Sequence, residues 1–148
     1  ADQSLGTFVQ MSSSTDIKAM TRAVMEGVAL GIRLCAESLV ADRKLDGVQV
    51  QITGGITKSA LMRQLLATAF PGMVTFREFS DVSVIGAAAL GAVAGDIVDH
   101  SSAFLGHFDF GSQQYPQQLS HQEHYEALYS RFRHWVNVVV SNKPDVTG

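Results

Sequence analysis

The apolar positions in the first third of the chain recur at helical spacing. Ile17, Met20, Val24, Val28, Ile32, Cys35 and Leu39 lie three or four residues apart, which predicts one apolar face on a long helix. Asp16 suits the positive end of that helix dipole, and Arg43 and Lys44 suit the negative end. Residues 1–15 are polar and irregular, with Gly6 and the run Ser12-Ser13-Ser14-Thr15, and predict a loop that offers helix caps. Past the Asp46-Gly47 turn the period drops to two. Val48-Gln49-Val50-Gln51-Ile52-Thr53 alternates apolar and polar, a strand ended by Gly54-Gly55. Leu61, Met62, Leu65, Leu66 and Ala69 return to the helical period until Pro71-Gly72. Met73-Val74-Thr75-Phe76 predicts a second short strand. Ser80 or Asp81 then caps a third helix reaching about Ala94, rich enough in Ala and Gly to pack very close to a neighbour. Residues 95–117 show no period, and Phe104, Phe108, Phe110 and Tyr115 are scattered through them. A C-terminal packing helix is predicted over 118–139, with Tyr125, Leu128, Tyr129, Phe132, Trp135, Val136 and Val139 as its apolar stripe and a frayed tail after it.

This order gives an α/β fold with one strand–helix–strand unit, hence parallel strands and a right-handed crossover. Two strands are too few for a good sheet. Further strands are expected from residues 1–15, from chain beyond this sequence, or from a partner. The length of 148 residues suits one domain, able to bury about 70% of its extended surface. Hydrophobic residues at 46% against 17% charged describe a globular chain and not a disordered one. A net charge of −3 offers no basic surplus for nucleic acid. The most apolar run, Val84 to Gly95, falls short of the roughly 18 residues of a membrane span. The single cysteine, Cys35, forms no internal disulfide and points to a reducing, cytoplasmic setting. The first residues, Ala1-Asp2-Gln3-Ser4, lack Met and a secretory pattern, so an internal cut in a longer protein is expected.

Ile52-Thr53-Gly54-Gly55-Ile56-Thr57-Lys58-Ser59 carries the most chemistry. A strand runs into a glycine pair and a helix opens shortly after. Glycine lets a ligand approach the backbone, and a helix start favours an anion such as phosphate. Lys58 adds positive charge, and Ser59 can cap the helix or bond a ligand. The alternative is a turn that needs glycine only for its dihedrals. The segment is not a Walker A loop, because Thr57 and Ile52 stand where that motif needs glycine, and no G-x-G-x-x-G occurs.

Three linked stretches change the balance: Arg22-Ala23-Val24-Met25-Glu26-Gly27-Val28-Ala29-Leu30, then Gly54 to Ser59 with Arg63-Gln64-Leu65-Leu66-Ala67, then Ile85-Gly86-Ala87-Ala88-Ala89-Leu90-Gly91-Ala92. In order and spacing this series resembles the C-terminal part of the FGGY carbohydrate kinases, the xylulokinase, gluconokinase and glycerol kinase group. The resemblance implies most of a ribonuclease H-like, actin-like ATPase domain, apparently incomplete, spanning residues 1–148. It implies a parent enzyme that phosphorylates a hydroxyl of a sugar, sugar acid or polyol with ATP and Mg2+. The sugar or polyol would be bound mainly by an N-terminal domain absent here. By position, Gly54 and Gly55 would lie beside the adenosine and α-phosphate, and Lys58 and Ser59 at the adenosine end. Gly86 and Ala87 would let the third helix pack against the nucleotide side. Ile56 replaces a frequent third glycine, Met62 a frequent Trp, and Gln49 and Gln51 are polar for a central strand. The family's catalytic Asp and N-terminal phosphate motif have no counterpart here, so the chain alone is expected to be inactive. A homo-oligomer is compatible with its open sheet edges. Neither nucleic acid nor membrane is expected as a partner. The alternative is a non-catalytic actin-like nucleotide-binding or interaction module.

Other residues have plainer readings. His121 and His124 share a helix face but lack a third ligand, so a solvated helix start is expected, with no metal site. Gly27 and Gly31 suit close helix packing. Asp16, Asp81 and Asp96 read as caps or surface charges. Trp135, Tyr125, Tyr129 and Phe132 read as core. Glu26 is given no chemistry, and Cys35 reads as an inert core thiol.

Overall fold

The computed structural model describes residues 6–40, 49–77, 81–109, 111 and 121–141, and the backbone of 113–115. The expected capping by Ser80, the Asp46-Gly47 turn, the basic pair Arg43 and Lys44, and Phe110 lie outside them. Helix α1 (Ile17–Leu39) starts where the Asp16 carboxylate accepts the Ala19 N–H at 2.8 Å. Strand β1 (Val50–Ile52) runs through a 3-10 turn (Gly55–Lys58) into α2 (Ala60–Ala69). Strand β2 (Val74–Phe76) follows, then α3 (Val82–Ala94), α4 (Ser101–Leu105), β3 (Gln113–Tyr115) and α5 (Gln122–Ser141).

Strands β1 and β2 pair in parallel, with Val50 opposite Val74 and Ile52 opposite Phe76. A further strand is present, but not from any of the expected sources. Strand β3 comes from the stretch that shows no period and pairs antiparallel to β2, Val74 opposite Tyr115. Its Gln-Gln-Tyr sequence has no apolar alternation, so backbone pairing to a preformed edge decides it, not side-chain pattern. Strand β2 is therefore central, with Val74, Thr75 and Phe76 all buried. Strand β1 lies at an edge of the described sheet, which explains its glutamines. Gln51 is exposed and accepts a hydrogen bond from Arg77 at 3.3 Å.

The core gathers Leu65, Leu66, Phe70, Val74 and Phe76 with Ala29 and Leu30 of α1 and Tyr125 and Tyr129 of α5. Helix α1 corrects its predicted face. Ile17 is 74% exposed and Leu39 87%, while Val24, Val28 and Cys35 are also exposed. Cys35 is thus a surface thiol and not a core one. The buried side carries Ala29, Leu30 and Arg33, because charges that find partners can sit inside where an apolar count would not place them. Leu61 of α2 and Val139 of α5 are likewise exposed, and Trp135 is only half-buried. Helix α3 buries Ile85, Ala89 and Ala92 but exposes Val84 and Leu90. It packs on α4, and a Cβ at Gly86 would meet nothing within 4 Å. A Cβ at Gly31 would lie 3.9 Å from Phe132 of α5, whereas one at Gly27 would meet nothing.

Arg33 ties three helices together. Its guanidinium donates to the Ala69 carbonyl at 2.7 Å, to both Glu126 oxygens at 2.7 and 2.9 Å, and to Glu37 at 3.0 Å. It also stacks 3.9 Å from the Tyr129 ring centre. Burial alone would lower its pKa, but the hydrogen bonds of Glu126 and Glu37 outweigh that and raise it, so the charge is fixed. The Tyr129 hydroxyl donates to Glu37 at 2.7 Å, and the Tyr125 hydroxyl to Glu26 at 3.0 Å. Arg22 holds the same Glu26 oxygen at 2.8 Å.

Burial, then the hydrogen bond and charge of Glu37, push the Tyr129 phenol well above its ordinary value. The unfolded phenol ionises near pH 10, and its raised folded pKa keeps the native one protonated beyond that. Stability from this group is therefore complete below about pH 10 and is lost as pH rises towards the folded value. Urea midpoints measured between pH 9 and 11 should fall for the wild type and fall less steeply for Tyr129→Phe. Parallel curves would show that Tyr129 does not drive the loss.

Candidate functional site

The turn after β1 is built from backbone outward. Gly54 adopts φ 99°, a region closed to residues with a Cβ, so its glycine is a backbone requirement. Its carbonyl accepts the Thr57 N–H at 3.1 Å and the Thr57 hydroxyl at 2.8 Å. Buried Thr57 in turn offers its carbonyl to the Arg63 guanidinium. Ser59 caps α2 by accepting the Met62 N–H at 3.3 Å. Thr57 and Arg63 thus stiffen the turn. Sequence reading gave neither a role, although Arg63 stands in the quoted motif.

Gly55 differs from Gly54. It is exposed, its φ is not positive, and an added Cβ would meet nothing within 4 Å. Neither dihedral nor packing demands glycine there, and the space above it is open. The turn's dihedrals thus require glycine at Gly54 and not at Gly55. Lys58 and Ser59 are exposed beside it. The Ser59 oxygen serves as the cap acceptor, which leaves its O–H as a donor. The four residues lie together at the carboxyl end of a parallel strand and the start of a ten-residue helix, a place suited to an anionic ligand.

Gly86 is half-buried and Ala87 exposed, both on α3.

A separate cleft of about 730 Å3 opens between the first half of α1, one side of α2 and the start of α5. Met25, Leu65, Thr68 and Tyr125 form its floor. Lys18, Thr21, Arg22, Gln64, His121 and His124 stand around its rim, with Ile17 and Leu61 as apolar flanks. None of Gly54, Gly55, Lys58 and Ser59 lines it. Among the described residues no three His, Cys, Asp or Glu side chains gather around a metal-sized space, and no helix is long and apolar enough to cross a membrane.

Residues 1–95 match the C-terminal domain of the FGGY family of carbohydrate kinases. A gluconokinase of Bacillus licheniformis is 32% identical over 96 residues, which cover 64% of this chain and 18% of that protein. A xylulose kinase of Lactobacillus acidophilus superposes with a TM-score of 0.77 at 24% identity, over 94% of this chain and 28% of that one. A gluconate kinase from the same organism has the same TM-score and identity. The chain thus spans under a third of the length of these relatives. The α/β fold is shared with them.

Proposed function

The chain belongs to the FGGY family of carbohydrate kinases, and on that premise we propose that it forms part of the ATP-binding wall of a cytoplasmic kinase. The acceptor is a hydroxyl of a sugar, sugar acid or polyol, held mainly by an N-terminal domain. On this reading the described sheet and its helices are part of a ribonuclease H-like, actin-like ATPase domain. The observation that carries the reading is the open surface at Gly55, where neither backbone nor packing requires glycine.

In this arrangement the Gly54-Gly55 backbone lies against the adenosine and α-phosphate. Lys58 adds positive charge, and the Ser59 hydroxyl donates to the adenosine end. Thr57 and Arg63 hold the turn, so little reorganisation accompanies binding. Magnesium, when bound with ATP, neutralises charge developing on the transferred phosphoryl group. Among the described residues no cluster of carboxylates would cage it, and phosphate oxygens and water would hold it. The base that accepts the sugar hydroxyl proton is proposed to come from elsewhere in the kinase. The 148 residues alone then give no sugar-dependent turnover.

Gly55→Val in the complete kinase tests the reading. A branched side chain there fills the space the nucleotide needs, and KM for ATP should rise about tenfold or more while KM for the sugar holds. Thermal stability should change little, because the side chain meets no protein atom at its Cβ. An unaltered KM for ATP in a folded variant rejects the assignment.

A further inference from the structure

From the cleft between α1, α2 and α5 we infer a second binding site, for a small amphiphilic anion with a flat or aliphatic apolar body and a phosphate head. Its volume of about 730 Å3 lies in the ordinary range for organic ligands and is far larger than a bare phosphate needs. The floor sets the body: Met25, Leu65 and Tyr125 offer apolar surface at the bottom of the cleft. The rim sets the head. Lys18 brings a cation, Arg22 a second one that it shares with Glu26, and Gln64 an amide donor, and among the described residues no carboxylate lines the cleft.

Glu26, next to Met25 on α1, is occupied by the Arg22 guanidinium and the Tyr125 hydroxyl. Lys18 takes part in no ion pair among the described residues, so its charge is available. His121 and His124 add ring N–H groups in either charge state. Charge complementarity therefore favours an anion over a neutral or cationic ligand. The site is distinct from the Gly54–Ser59 turn, none of whose proposed contact residues lines the cleft.

The probe is 1-naphthyl phosphate, titrated into the full chain by calorimetry beside 1-naphthol, inorganic phosphate and Mg-ATP. The phosphate ester should bind at least about fivefold more tightly than either 1-naphthol or inorganic phosphate. Lys18→Glu should weaken it at least about fivefold, the reversal of one rim charge, while Mg-ATP binding stays as in the wild type. Leu65→Trp, which fills the floor, should abolish binding; should it not fold, Thr21→Trp narrows the same cleft from the rim. No binding of 1-naphthyl phosphate, binding unaffected by Lys18→Glu, or displacement of the probe by Mg-ATP would overturn the inference. Loss of Mg-ATP binding with the probe still bound would reject the nucleotide reading and leave this one standing.

Discussion

Arg33→Met should destabilise the protein by about 3 kcal/mol, towards the lower end of what breaking a buried ion pair costs. The Arg33 side chain is 6% exposed, whereas those of Glu37 and Glu126 are 28% and 45% exposed. Both carboxylates can recover water when their partner leaves, which limits the loss. The Ala69 carbonyl, inside the core, cannot do so as readily. Methionine keeps much of the volume, so the measured change reports polar contacts more than a cavity. In a domain of this size the melting temperature should fall by roughly 6–12 °C. Glu126→Gln should cost about 1 kcal/mol or less, since that side of the pair is wet. A variant Arg33→Met within about 1 kcal/mol of wild type in urea would show that the guanidinium is not what joins α1, α2 and α5.

Tyr129→Ala should be comparably severe, at about 3–5 kcal/mol for a buried aromatic. The ring is 3% exposed, lies under the Arg33 guanidinium, and ends in a hydroxyl bonded to Glu37. Trp135→Ala should cost only about 1 kcal/mol, because Trp135 is half-buried and lies outside the main core. The contrast inverts the usual weighting of tryptophan over tyrosine. Denaturation of the two variants side by side decides it: a larger loss for Trp135→Ala would move the anchor of α5 from Tyr129 to Trp135.

That inversion shows where sequence reading stops. The period of α5 correctly marks Tyr125 and Tyr129 but ranks all its aromatics alike. Distance along the helix from α1 and α2 decides which are covered, and no local pattern carries it. Helix α1 fails for a related reason. Its apolar residues form a regular stripe, yet its buried side holds Arg33 with two carboxylates. Those partners sit four and 93 residues away, so their contribution is invisible before the chain folds. Strand β3 was illegible because Gln113 and Gln114 carry no alternation, and an edge of β2 recruits them. The Gly54–Ser59 turn was legible because its demands are local: a positive φ at Gly54, a cap at Ser59 and helical periodicity after it. The different status of Gly55 needed coordinates, since only the space around it separates it from its neighbour. The cleft combines residues from three distant helices and left no signal in the chain.

The match to the kinase family ends at residue 95, while both β3 and the partners of Arg33 on α5 come later. Kinship by sequence and interdependence in the fold thus have different borders. A crossover between homologous kinases placed between residues 96 and 112 would part Arg33 from Glu126 and Tyr129, and β2 from the strand beside it. Viable hybrids should be those that inherit both sides from one parent, or whose parents share the arginine, the glutamate and the tyrosine. Drift at position 33 is accordingly bound to drift some 93 residues downstream, a constraint that two separately conserved motifs would not reveal.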